Sequence, residues 1–241
     1  SEDQMKVGRK LATKLLNATK FVLGAGDVSA DVVPTEPLDV AMLQRLSVVI
    51  NDATTAFETF DYARALERTE SFFWWFCDDY LELVKMRAYG TTDISASARA
   101  ALQRALSVMQ RLFAPHIPFA TEEVWSWWKQ NSIHLSQWPT VGEITGDTKH
   151  IDAAELMLDC ACNVIGVIRR TKTEAKLSQR AEVEYTSVSA TDVQIALLKE
   201  CIGDLQNAGV VPAIEFVSHT AGDSVAHIVT TVRLAPVVDA K

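Results

Sequence analysis

Between Asp61 and Tyr89 the chain reads DYARALERTESFFWWFCDDYLELVKMRAY, with neither glycine nor proline to interrupt a helix. Phe73, Phe76, Tyr80 and Leu83 recur at three- and four-residue steps, and Phe72, Trp74, Trp75, Leu81 and Val84 widen the stripe until most of the circumference is apolar. At about 1.5 Å per residue such a helix runs roughly 40 Å. Asp61 supplies an N-cap and Gly90 a C-terminal stop. Water does not tolerate so apolar a rod alone, so the stretch predicts a helical bundle packed around it.

The 241 residues suffice for two domains with separate cores. A formal charge of −8 speaks against indiscriminate coating of nucleic acid, while leaving room for a local basic face. Cys77, Cys160, Cys162 and Cys201 lack the paired spacing of a zinc site or a secreted disulfide framework, which fits a reduced, cytoplasmic setting and no structural metal. The first residues carry no apolar signal segment, and no window has the length of a membrane span, so a soluble protein without a membrane partner is expected.

Met5 to Leu23 predicts an amphipathic helix with Val7, Leu11, Leu15, Ala18 and Val22 inward. On the adjoining face Lys10, Lys14, Asn17 and Phe21 follow at four-, three- and four-residue steps, flanked by Arg9 and Lys20. No acid lies between Gln4 and Gly26, so this face suits a phosphate backbone; a merely solvated lysine face is the plainer alternative. GAGDVSADVVPTEPLD reads as a loop. Helices are expected from Leu38 to Thr59, from Ser95 to Phe113 with Ala98, Leu102, Leu106 and Met109 buried, and after Pro118. His116, between two prolines, has no nucleophile or carboxylate constellation around it and reads as a packed or capping residue. The six tryptophans read as core and rim packing.

Helical periodicity fades from Ser136 to Asp147, and a domain boundary is expected there. The fold class is therefore mainly α, with a helical bundle over 1–140 and a small α+β domain over 141–241. The second domain should contain a helix from about Asp152 to Lys176, a strand in AEVEYTSVS, a helix over TDVQIALLKECIGDLQNAG, and a terminal hairpin of VPAIEFVSH and SVAHIVTTVRL turning at Thr220 to Asp223. His219 and His227 flank that hairpin, weak grounds for a metal. A second basic cluster, Arg169, Arg170, Lys172, Lys176 and Arg180, suits either a helix C-terminus or a phosphate. Glycine-rich phosphate loops, nucleophile elbows and His-Glu-x-x-His are missing from the sequence, so no catalytic residue is assigned.

Four ordered stretches carry a family resemblance: GRKLATKLLNATKFVL at 8–23, YARALERTESFFWWFCDDYLELVKMRAY at 62–89, LFAPHIPFATEEVWSWW at 112–128 and IRRTKTEAKLSQRAEVE at 168–184. They resemble the anticodon-binding region of valyl-tRNA synthetases, class I aminoacyl-tRNA synthetases. The Phe-Trp-Trp-Phe-Cys-Asp-Asp-Tyr run looks more like the valyl branch than its isoleucyl and leucyl relatives. The resemblance implies a C-terminal piece of a valine–tRNA ligase, leading toward a coiled-coil arm. His-Ile-Gly-His-like and Lys-Met-Ser-Lys-Ser-like signatures are absent, so catalysis with ATP and Mg would belong to the parent enzyme, with no cofactor in this chain and no activity of its own. The partners it implies are a valine-accepting tRNA and the catalytic domain of the same polypeptide, in a monomer. The tRNA-binding candidates are Arg9, Lys10, Lys14, Asn17, Lys20, Arg169, Arg170 and Lys172; Phe21 reads as core before it reads as a stacking residue. The competing expectation is a helical protein–protein interaction module that binds no RNA.

Overall fold

The computed structural model describes residues 2–145, 150–219 and 228–235, with the side chains of 2–4 left aside. The chain forms two compact units, Ser1–Asp78 with Ala88–His150, and Asp79–Arg87 with Ile151–Lys241. Helices dominate, and a three-stranded sheet lies near the end of the chain.

In the first unit α1 (Glu2–Gly24), α2 (Pro37–Glu58), α3 (Tyr62–Trp75), α5 (Asp93–Phe113) and α6 (Pro118–Ser126) pack around a common core. Each contributes the stripe its periodicity predicts: Leu11, Leu15 and Val22 from α1, Met42, Leu43, Leu46 and Ile50 from α2, and Leu102, Leu106, Met109 and Phe113 from α5. Phe73 meets Phe113 edge to face with ring centroids 5.3 Å apart. Asp61 accepts from the Arg64 amide at 3.1 Å and caps α3. Pro37 opens α2, and Asp39 in its first turn is buried and accepts from Ser97 Oγ at 2.7 Å. Ser97 Oγ also accepts from the amides of Thr35 and Glu36, so one α5 hydroxyl pins the entry to α2. One buried amide is satisfied at both ends: Gln110 donates to Thr19 Oγ1 at 3.1 Å and accepts from Trp128 Nε1 at 3.1 Å, linking α5 to α1 and to the residues just after α6.

The long helix expected over 61–89 is interrupted. A π-helical turn spans Phe76–Tyr80, and α4 (Leu81–Ala88) follows it. The wider turn shifts the phase of the apolar stripe. Phe72, Phe73 and Phe76 belong to the first unit, whereas the equally buried Tyr80, Leu81, Leu83 and Val84 belong to the second. Trp74 and Trp75, which widened the stripe, are only half-buried. A second departure is Val7, which is exposed. The first unit ends with a 3₁₀ turn at Ile133–Leu135 and a short α7 (Gly142–Thr145).

In the second unit α8 (Ala154–Glu174) buries Met157, Leu158, Ala161, Val164, Ile165 and Ile168. The strand β1 (Val183–Ala190) is followed by α9 (Asp192–Glu200), α10 (Ile202–Gly209), β2 (Ile214–Ser218) and β3 (Val229–Leu234). Thr191 and Gln194 close a capping box at the start of α9. The single helix expected over 191–209 breaks at Cys201, where φ is −117° and ψ 21°. The expected terminal hairpin does not form: the strand order is β2-β1-β3, with β1 parallel to β2 and antiparallel to β3. Burial explains the order. Val183, Thr186, Val188 and Ala190 make β1 the most enclosed strand, while β2 and β3 are largely exposed and take the edges. The turn at Thr220 to Asp223 and His227 lie outside the described residues; His219 donates its amide to the Ala190 carbonyl.

Arg87 Nε and Nη2 reach the two carboxylate oxygens of Asp204 at 2.8 and 3.0 Å, a buried bidentate pair that ties the end of α4 to α10 within the second unit.

Candidate nucleic-acid interface

Once Leu11, Leu15, Ala18 and Val22 face inward, helical geometry leaves Lys6, Arg9, Lys10, Thr13, Asn17, Lys20 and Gly24 in one exposed stripe along α1. No ion pair of Arg9, Lys10 or Lys20 is found among the described residues, so their charge faces solvent. Lys14 differs. It is half-buried, its Nζ lies 2.7 Å from Asp78 Oδ1, and the Trp74 ring centroid lies 5.6 Å away. Lys20 Nζ stands 5.9 Å from the Trp127 ring centroid, which orients the ammonium without neutralising it. Asn17, one turn from both Lys14 and Lys20, is exposed. Phe21 is half-buried and meets the exposed Tyr89 ring edge to face at 5.5 Å. Thr13 and Tyr89 join this face in the structure: a heptad-like repeat of exposed positions marks Thr13, but nothing local in the sequence announces that Tyr89 meets Phe21.

The second basic cluster does not hold together. Lys172 is 1% exposed and donates from Nζ to the carbonyls of Gly209 at 2.7 Å and Gln179 at 3.0 Å. It completes the C-terminus of α10, and its burial lowers its pKa from the ordinary lysine value. A polyanion cannot reach it, which removes Lys172 from the binding candidates. Arg169 is half-buried, and its carbonyl accepts from Thr173 Oγ1 and Gln179 Nε2. Arg170, Lys176 and Arg180 are exposed.

Among the described residues the His116 imidazole and the Cys77, Cys160 and Cys201 thiols, outside this edge, are enclosed by packing. His116 packs its ring 5.7 Å from Phe57, and burial pushes its pKa down. The Cys77, Cys160 and Cys201 thiols are pushed up by burial to about 12, 11 and 12, far from a reactive thiolate. Among the described residues no group of three or more His, Cys, Asp or Glu side chains is placed to hold a metal ion, and no helix is long and apolar enough to cross a membrane. The indole N–H groups of Trp74, Trp125, Trp127, Trp128 and Trp138 all donate to partners within the first unit, so the tryptophans pack and do not form a free stacking platform.

The sequence profile of a family described as the anticodon-binding domain of tRNA ligase matches residues 39–187. The chain belongs to this family. The match runs from the first turn of α2 into β1, and the cationic α1 precedes it. Similarity to individual proteins extends further. The chain is 50% identical over 239 residues to the valine–tRNA ligase of Thermobifida fusca, covering 98% of this chain and 26% of that protein. It is 47% identical over 231 residues to that of Salinispora arenicola (88% and 27%) and 46% identical over 233 residues to that of Leifsonia xyli (95% and 26%). The chain thus spans about a quarter of the length of the curated relatives it matches. The exposed cations of the α1 edge stand out against the chain's net charge of −8.

Proposed function

We infer that this chain recognises the anticodon arm of a valine-accepting tRNA as one part of a valine–tRNA ligase working in the cytoplasm. The observation that carries the reading is the α1 edge, where Arg9, Lys10 and Lys20 present uncompensated charge on either side of Asn17 while the chain as a whole carries −8. Family membership supports RNA as the ligand, and relatives named valine–tRNA ligase favour the valyl over the isoleucyl or leucyl branch. An unstacked anticodon loop offers phosphates to such cations and base edges to the Asn17 amide. Joining valine to tRNA with ATP and Mg belongs, in this reading, to another part of a longer polypeptide.

Titration with valine tRNA at several salt concentrations tests the reading against a helical module that binds no RNA. Three phosphate contacts from Arg9, Lys10 and Lys20 give a log–log slope of about −2, at roughly −0.7 per contact to single-stranded RNA. Arg9→Ala with Lys10→Ala should flatten that slope by about 1.4. Lys14→Ala should flatten it less, because Asp78 already neutralises that ammonium. Asn17→Ala should erode discrimination among anticodon variants more than it alters the slope, since a base contact carries sequence information and a phosphate contact does not. Unchanged affinity and slope in the Arg9, Lys10 double variant, with native circular dichroism, overturns the assignment of this edge.

A further inference from the structure

Between Gly24 and Pro37 the chain forms no regular element, and of its residues there only Ala25 and Pro34 are buried. Side chains of α5 fasten this loop in place of a core of its own. Arg99 Nη1 donates to the Asp27 carbonyl at 3.5 Å, Gln103 Nε2 to the Gly26 carbonyl at 3.4 Å and Arg104 Nη2 to the Val32 carbonyl at 3.0 Å. Arg104 also donates from Nη1 to the Ile144 carbonyl in α7 at 3.3 Å. The guanidinium is thus a spacer between the loop and α7, and a cleft of about 200 Å³ opens beside it, lined also by Ser29, Ser107, Trp128 and Lys129. Its described residues all belong to the first unit, and none comes from α1.

The cleft is cationic. Among the described residues neither Arg104 nor Lys129 has a carboxylate within ion-pair distance. Lys129 Nζ rests 4.2 Å from the Trp128 ring centroid, a contact that orients an ammonium and leaves its charge in place. Glu143 lines the cleft as well, but both of its oxygens are engaged: Oε2 with Arg111 Nη2 at 2.6 Å and Oε1 with the Thr140 amide at 2.5 Å. Asp27 and Asp31 are exposed in the loop and do not line the cleft. Asp147 and Lys149, which follow α7 in the sequence with opposite charges, lie outside the described residues. Burial lowers the pKa of Arg104, and burial with the neighbouring Arg111 guanidinium lowers that of Lys129, so an anion in the cleft would relieve both.

The donors suit a tetrahedral anion better than a planar one. Carbonyls take one N–H from each terminal nitrogen of Arg104, which leaves a second N–H on each for a ligand. Ser107 Oγ accepts from Arg111 Nη2 at 3.3 Å and Ser29 Oγ from the Asp31 amide at 3.5 Å, so each hydroxyl keeps its hydrogen to donate. The loop, α5 and the residues after α6 therefore present donors from separate sides. A carboxylate offers its oxygens in one plane, whereas a phosphate group offers oxygens in several directions and carries about −1.5 to −2 charges near neutral pH. We propose that this cleft binds a phosphate group, free or at the end of a small molecule, with Arg104 and Lys129 as its counter-charges and Ser29 and Ser107 as further donors.

Titration of the 241-residue chain with inorganic phosphate, at an ionic strength held constant with chloride, tests the cleft through the Trp128 indole N–H resonance, identified by its loss in Trp128→Phe. The resonance should shift and saturate. Lys129→Gln removes one counter-charge at an exposed position and should weaken phosphate binding about tenfold. Glu143→Gln should act in the opposite direction and tighten binding several-fold, because it removes the acid of the cleft and keeps an acceptor for Arg111. Arg104→Gln should abolish the shift; since that side chain also holds Val32 and Ile144, the Lys129 and Glu143 variants carry the test if it melts early in chloride alone. A shift that does not saturate overturns the proposal, and so do equal affinities in the parent, Lys129→Gln and Glu143→Gln. A shift evoked by an anticodon stem-loop RNA and not by inorganic phosphate also overturns it, since the cleft would then belong to the RNA backbone. The phosphate titration is independent of the α1 reading: Arg9→Ala with Lys10→Ala should leave it unchanged, and a flat salt slope in RNA binding leaves it standing.

Discussion

Lys172→Met leaves the carbonyls of Gly209 and Gln179 without their donor, and the second unit is expected to lose about 1–3 kcal/mol, read from the urea midpoint by circular dichroism. The salt slope of RNA binding should not move, whereas a surface lysine in contact with phosphate would shift it. Local sequence could not separate Lys172 from Arg170, because the carbonyl that claims the lysine lies 37 residues further along the chain. The exposed cations of α1 were legible for the opposite reason: the buried stripe at three- and four-residue steps fixes which residues remain outside. His116 makes a pH prediction. Burial depresses its folded pKa below the ordinary 6.5, so the unfolded chain binds the extra proton first as pH falls. The stabilising contribution of the neutral ring is complete above pH 6.5 and is lost as pH drops through the folded pKa. His116→Gln should therefore flatten the fall in melting temperature between about pH 7.5 and 5.5, roughly one pH unit either side of the ordinary histidine value, measured by tryptophan fluorescence relative to the parent chain.

At the scale of the element, α3 contrasts a buried with a half-buried aromatic. Phe73→Ala should cost about 3–5 kcal/mol, because its ring is fully enclosed against Phe113. Trp75→Ala should cost clearly less, since the indole is half-exposed and shares its face with Arg45 at 4.3 Å. Chemical denaturation followed by far-ultraviolet circular dichroism checks the order, and equal losses would mean that the stripe is wider than its burial shows. The helices α1, α2, α5 and α6 were readable from periodicity with proline, aspartate and glycine as punctuation. The π turn was not, because Phe76-Cys77-Asp78-Asp79-Tyr80 satisfies an α-helical pattern equally well. Strand order was hidden too: alternation shows that β1, β2 and β3 are strands, but β1 takes the centre through pairings with partners tens of residues away.

For the whole molecule, the six tryptophans give a selective probe, since every one lies in the first unit. Asp204→Ala removes the bidentate carboxylate from the buried Arg87 guanidinium in the second unit, at a cost of about 3–5 kcal/mol. In a unit of this size that lowers the melting temperature by on the order of 10 °C or more. The circular dichroism transition should split or broaden downward while the fluorescence transition stays near its parent value; a parallel fall in both would show that the units melt as one. The sequence showed that there are two kinds of architecture here, helical then mixed, but not that Asp79–Arg87 is built into the later one. That interleaving limits how the gene can be dissected. A polypeptide cut after His150 keeps Arg87 and loses Asp204, and one begun at Ile151 keeps Asp204 and loses Arg87. Each product carries half of a buried ion pair, so neither piece inherits a finished interior, and a shuffled or truncated gene that respects the apparent boundary delivers two damaged proteins in place of two independent ones.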